Sequence, residues 1–261
     1  MKRTYVWATL LLSFGLCGSS LTSCGDDDDD VLTEVTVPGN GNDNNGDSGD
    51  EGSGDEGDGK EDEGNGDKTD LNGHEAVDLG LSVKWATCNV GASSPEEYGG
   101  YYAWGETEEK SNYDDDTYKY CNGSSTSMTK YCTDSYYGTV DNRTTLEAED
   151  DVATVKWGGS WRMPTKAEQD ELRTKCTWQW TTLNSVNGYR VTGPNGNSIF
   201  LPAAGSRYGT EVDSQGSNGY YWSSSLHSYS YNAYLLCFLG RIYDWYGDFR
   251  YDGHTIRPVC P

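Results

Sequence analysis

The chain has 261 residues, 34% of them apolar and 13% aromatic, and a formal charge of −23. Residues 25–70 hold 18 acids against Lys60 and Lys68, hence −16, whereas 71–261 holds 24 acids and 15 bases, hence −9. So acidic a chain repels phosphate backbones and anionic headgroups, which argues against nucleic acid as a partner.

Lys2 and Arg3 precede an apolar run from Tyr5 to Leu16, with Gly18, Ser19 and Ser20 behind it. A positive end, an apolar middle and small residues make a secretory leader. The run is too short to span a hydrocarbon core of about 30 Å. Leu21-Thr22-Ser23-Cys24 follows, and Gly25 with Asp26 to Asp30 comes directly after it. From Pro38 to Asp70 the chain is nearly all Gly, Asn, Asp, Ser and Glu, without an aromatic residue. Such a segment cannot offset the entropy of ordering its backbone and is expected to stay disordered. As a coil, residues 25–70 would span on the order of 40 Å. The aspartates lack the spacing of an EF-hand loop, so the segment reads as a tether.

The globular part is expected over 71–261, enough chain for one sizeable core. Val77 to Trp85 reads as two short strands around Gly80, and Tyr101 to Trp104 as another. The polar stretch from about 111 to 145 carries no assignable period. Asp150 or Asp151 can cap a short helix through Val152 to Lys156. Thr165 with Glu168 three positions later is a capping box, and Pro164 stands just outside it. Along that helix Glu171 and Lys175 pair at i, i+4, with Ala167 and Leu172 expected toward the core. Asn195-Gly196 between Gly188–Thr192 and Ser198–Leu201 is a hairpin signal, since both residues tolerate positive φ. Further strands are expected over 220–224, 233–239, 241–245 and 254–259. The class is α+β: short twisted antiparallel strands with one or two helices.

Period-2 alternation buries Leu236 and Phe238 and turns Leu235, Cys237 and Leu239 to the other side. Those three residues then form an exposed apolar patch, or the strand is covered on both faces. Residues 219–255 hold eight tyrosines, two tryptophans and five serines among 37 positions. That mixture resembles a paratope, in which rigid rings supply contact area at low entropic cost and small polar residues adapt the hydrogen bonds. Half-buried rings of a tyrosine-rich sheet are the plainer alternative.

Six cysteines remain after Cys17 and Cys24, namely Cys88, Cys121, Cys132, Cys176, Cys237 and Cys260. An even number in an exported domain favours disulfides, with Cys121–Cys132 a plausible local pair. A structural zinc site finds no closely spaced cysteine pair, and His74, His227 and His254 are scattered. Glu106, Glu108 and Glu109 read as a solvated acidic turn rather than a glycosidase pair. No nucleophile elbow, metalloprotease helix or phosphate-binding glycine loop occurs. These observations imply no cofactor and argue against an enzyme.

Leu21-Thr22-Ser23-Cys24 resembles the lipobox of bacterial lipoproteins, which implies a lipid on Cys24 and a leader, 1–24, cut before that cysteine. The acidic cluster behind it resembles the surface-export signal of Bacteroidetes lipoproteins, which implies the outer leaflet of the outer membrane. Trp161-Arg162-Met163-Pro164-Thr165, Phe200-Leu201-Pro202-Ala203-Ala204-Gly205, Tyr221-Trp222-Ser223-Ser224-Ser225 and Ile256-Arg257-Pro258-Val259 together resemble the Fibrobacter succinogenes major paralogous domain. That group is similar to C-type-lectin-like folds, which include the formylglycine-generating enzymes. Those enzymes use two nearby cysteines, and Cys237 and Cys260 match no such motif. The carboxyl-terminal stretch is also similar to the variable proteins of diversity-generating retroelements. That resemblance implies a scaffold of Trp222, Ala233, Leu236, Phe238, Ile242, Arg257 and Val259. The ligand-facing set it implies, with ring-bearing neighbours added, is His227, Tyr229, Tyr231, Leu235, Leu239, Tyr243, Asp244, Trp245, Tyr246, Asp248, Phe249 and Tyr251, with Cys237 beside them. The expected function is therefore binding of an extracellular protein or glycan, and the alternative is a structural component of the cell surface.

Overall fold

The computed structural model describes residues 68–239 and 242–261, with side-chain surroundings from residue 71 on, except at 239 and 242–246. The leader, Cys24 and the tether up to residue 67 lie outside the described residues. The first strand, β1 (Lys68–Leu71), takes in the last residues assigned above to the tether. Asn72 and Gly73 both have positive φ, +57° and +81°, and turn the chain back into β2 (His74–Val77). This two-residue turn matches the right-handed twist of the paired strands.

β3 (Lys84–Ala86) pairs with β2 and also with β12 (Val259–Cys260), giving a four-stranded sheet in the order β1-β2-β3-β12. The earliest and latest strands thus share one sheet. Of the longer strand expected over 254–259, only β12 and single bridges form, among them Tyr102–His254 and Tyr221–Thr255. Tyr101 to Trp104 contributes only the bridge at Tyr102. The stretch between β3 and residue 151 is irregular, with single 3-10 turns at Asp115–Thr117 and Ala148–Asp150.

Helix α1 (Val152–Trp157) is capped by Asp151, whose carboxylate accepts the Thr154 N–H. Helix α2 (Lys166–Lys175) begins at the expected capping box: Glu168 N–H to Thr165 Oγ1 and Thr165 N–H to Glu168 Oε2. Arg162 holds the same carboxylate with two nitrogens, at 2.8 and 2.5 Å. Leu172 is buried as expected, but Ala167 is exposed. Gln169 takes the inward position, because its amide can donate to the Tyr221 and Trp222 carbonyls, at 2.9 and 3.2 Å. Glu171 pairs with Lys175 at 2.7 Å and also accepts the Ser82 N–H.

Strands β4 (Thr177–Leu183), β5 (Val186–Thr192) and β6 (Ser198–Pro202) form one antiparallel sheet, with the Asn195-Gly196 turn between β5 and β6. A small hairpin joins β7 (Ser206–Tyr208) to β8 (Glu211–Asp213). The last sheet places β10 (Asn232–Leu239) between β9 (Asn218–Leu226) and β11 (Ile242–Phe249).

Both faces of β10 are covered. Leu235 and Cys237 lie in one core with Trp104, Trp161 and Trp222. Leu236 and Phe238 lie in a second core with Trp85, Leu172, Tyr189 and Tyr221. Alternation on this strand therefore sorts residues between two interiors rather than between interior and water. Each such large apolar side chain stabilises the fold by about 1.5–3 kcal/mol. The architecture is α+β: short antiparallel sheets with two helices. Among the described residues, no helix is long and apolar enough to cross a membrane.

The six cysteines are thiols. The expected Cys121–Cys132 bridge does not form, because each sulfur is engaged by its own turn. Cys121 Sγ donates to the Ser124 carbonyl at 2.8 Å and Cys132 Sγ to the Asp134 carbonyl at 3.1 Å.

Candidate recognition surface

The loop between β9 and β10, residues 227–231, reads His-Ser-Tyr-Ser-Tyr. It is closed by the Asn232 N–H to the Tyr229 carbonyl and the His227 N–H to the Asn232 carbonyl. Alternation within it aims Tyr229 outward, 52% exposed, while Ser230 is fully buried. Ser230 fastens this loop to another: its hydroxyl accepts the Thr133 N–H at 3.0 Å. The second loop, around 131–138, brings Tyr136 and Tyr137 alongside.

Arg250 completes the junction. Its guanidinium is fully buried and donates to the Tyr131, Ser230 and Lys130 carbonyls and to the Tyr118 hydroxyl. No carboxylate contacts it among the described residues; the Trp104 ring lies 4.9 Å from its carbon. Tyr131 is held at φ +58°, a conformation costly for a bulky residue. The Asp141 carboxylate fixes it from the other side by accepting the Tyr131 and Cys132 N–H groups, both at 2.9 Å. Gly138 is needed in this loop because a Cβ there would stand 2.1 Å from the Met128 carbonyl oxygen.

The rings delivered by these loops touch one another in series. Tyr136 meets Tyr137, which meets Tyr231, with both centroid separations 5.0 Å. Tyr231 stacks on Tyr229 at 5.9 Å, and Tyr229 meets His227 at 5.4 Å. His227 reaches Tyr234 at 4.5 Å, and Lys166 lies over that ring. A branch runs from Tyr231 to Phe249 and on to Tyr251. Ring pairs at these distances add about 0.5–1.5 kcal/mol each beyond area burial, so the ribbon is rigid before any ligand arrives. Tyr136, 70% exposed, and Tyr229 are its outermost members; Tyr251 is its root.

Burial pushes the His227 pKa below the usual histidine range, and Nδ1 accepts the Tyr229 N–H at 3.1 Å, which puts the proton on Nε2. The ring lies across β11 at Gly247, where a Cβ would come within 2.6 Å of it.

Of the expected ligand-facing residues, His227, Tyr229, Tyr231 and Phe249 fall in the ribbon. Asp248 is partly exposed beside it and accepts from His254 Nε2 at 3.3 Å. Leu235 and Tyr251 are corrections: both are buried, at 0% and 5% exposure, and Cys237 is buried with them. Leu235 is inside because β10 has a core on each face. The side chains of Leu239, Tyr243, Asp244, Trp245 and Tyr246 lie outside the described residues. Of the implied scaffold, Trp222, Ala233, Leu236, Phe238, Arg257 and Val259 are all buried, while the Ile242 side chain is outside the described residues. Tyr136, Tyr137 and Tyr234 were not singled out from sequence. Tyr234 sits in the tyrosine-rich stretch, but nothing local marks the other two.

Other constellations are already engaged. Glu147, Glu149 and Asp150 gather their carboxylates as a metal site would, but the Lys130 ammonium stands among them at 2.7, 3.3 and 2.6 Å. Burial disfavours charge on both Lys130 and Asp150. Their mutual hydrogen bond nevertheless wins, raising the lysine pKa and lowering that of the aspartate. Glu106 pairs with Lys110, Glu108 with Lys156, and Glu109 accepts the Tyr101 N–H.

No protein-family model, curated protein or solved structure matches the chain.

Proposed function

We propose that the chain is a lipid-anchored protein of the outer-membrane surface whose domain binds an extracellular protein or glycan through the ring ribbon. One observation carries this reading: eight rings contact one another in an unbroken, branched series whose most exposed members are Tyr136 and Tyr229. Exposed rings standing on a packed aromatic base are what recognition surfaces use. The pairing of β3 with β12 and the long irregular middle of the chain are in keeping with a C-type-lectin-like arrangement. The lipobox and acidic tether would hold this surface clear of the membrane, through two or three acyl chains on Cys24.

The test is binding of the purified chain to protein and glycan arrays, beside a Tyr229→Ala/Tyr231→Ala/Phe249→Ala variant. Loss of the array ligands in the variant is expected, and retained binding would remove the ribbon from the function. Acyl-chain labelling that disappears in Cys24→Ser tests the anchor separately.

A further inference from the structure

The ribbon's ligand class can be narrowed, on the basis of the reading just given. Throughout this domain, cations lie over aromatic rings. Lys110 lies 5.6 Å from the Tyr113 centroid, Lys119 4.8 Å from Tyr120, and Lys166 5.1 Å from Tyr234 within the ribbon itself. Arg207 and Arg250 do the same over Tyr101 and Trp104. Such pairs arise because the ring face is electron-rich. Among the described residues, no cation lies over Tyr136 or Tyr229, the two most exposed rings.

Charge points the same way. Asp134 is exposed at one end of the ribbon, with its carboxylate accepting the Tyr136 N–H at 2.9 Å. Asp248, 28% exposed, is already engaged by His254 and by the Phe249 N–H. Residues 71–261 carry a net −9. Exposed rings, one of them beside a carboxylate, on an acidic domain repel anionic ligands and attract cations.

We infer that the ribbon binds a basic segment of another protein, with lysine or arginine side chains seated over Tyr136 and over Tyr229, and Asp134 answering the charge at Tyr136.

The experiment uses the full chain and a labelled peptide of alternating arginine and glycine, beside the same peptide with neutral citrulline replacing arginine. Binding is read by fluorescence anisotropy at several salt concentrations. The chain should prefer the arginine peptide. Tyr136→Leu/Tyr229→Leu, which keeps apolar area but removes the ring faces, should weaken arginine-peptide binding about tenfold, as expected for losing two cation–ring contacts. Tyr136→Phe/Tyr229→Phe should bind like the native chain. Equal binding of the citrulline peptide would overturn the inference. So would an unaffected leucine variant, since the acidic tether would then be the attracting element. Both results leave the wider reading intact if array ligands still require Tyr229, Tyr231 and Phe249; array ligands indifferent to those rings would remove both.

Discussion

Replacing Arg250 with methionine tests the junction that holds the two ring-bearing loops together. Methionine fills much of the stem volume but donates nothing, so the carbonyls of Lys130, Tyr131 and Ser230 lose their donor. Each buried acceptor left unpaired costs about 1–3 kcal/mol, or roughly 3–9 kcal/mol for three. The cation over Trp104 is lost as well, worth about 2 kcal/mol when desolvated. Against this, the variant no longer buries a charge without a carboxylate partner, which returns several kcal/mol. The net expectation is a loss of at least about 3 kcal/mol from a total of about 5–15. Urea unfolding followed by tryptophan fluorescence would report this as a midpoint lowered by about 1.5 M, for a slope near 2 kcal/mol per M. Arg250→Lys, which can reach one or two of the carbonyls, should fall between. A loss below about 1 kcal/mol in the methionine variant would refute the idea that this guanidinium fastens the loops.

Leu235→Ala should cost about 2–5 kcal/mol in the same unfolding assay, as a core truncation does, while Tyr229→Ala, which loses two ring pairs at an exposed site, should cost about 1–3 kcal/mol. Asp150→Asn should destabilise the domain by about 3 kcal/mol, because Lys130 would keep a half-buried charge with its best partner gone. Hydrogen bonds to Arg162 and Thr165 outweigh burial and hold Glu168 below the usual carboxylate range, and Asp150 is lowered likewise. Their stabilisation is full above about pH 4 and is lost as pH falls through the lower folded values; Asp151, raised by burial, acts in the opposite sense. Acid titration of Glu168→Gln should therefore show a shallower decline below pH 4 than the native chain. Because the six cysteines are thiols, a reducing agent should leave the melting temperature unchanged to within about 1 °C.

Signals written in neighbouring residues were legible. Thr165 and Glu168 name the start of α2, and Asn195-Gly196 names the turn of its hairpin, because caps and turns depend on a few adjacent positions. What escaped depends on residues far apart in sequence. Leu235 could be assigned a side of β10, yet not an environment, since a second core on that side is built partly from Trp104 and Trp161. Gln169 looks polar and outward until the Tyr221 and Trp222 carbonyls arrive beside it. Tyr136 and Tyr137 lie in a stretch without any period. Arg250 and Ser230 bring them against Tyr231, over separations of about a hundred residues. The cysteine count suggested bridges, but pairing requires sulfurs that face each other, and spacing along the chain carries no such information.

The pairing of β3 with β12 bears on when the domain can close. Trp85 has no strand partner on one side until Val259 arrives, so most of the polypeptide must leave the ribosome before that sheet can close. A chain that cannot lock early remains threadable, which would suit the export proposed above. The same late closure would leave incompletely synthesised copies open to proteolysis.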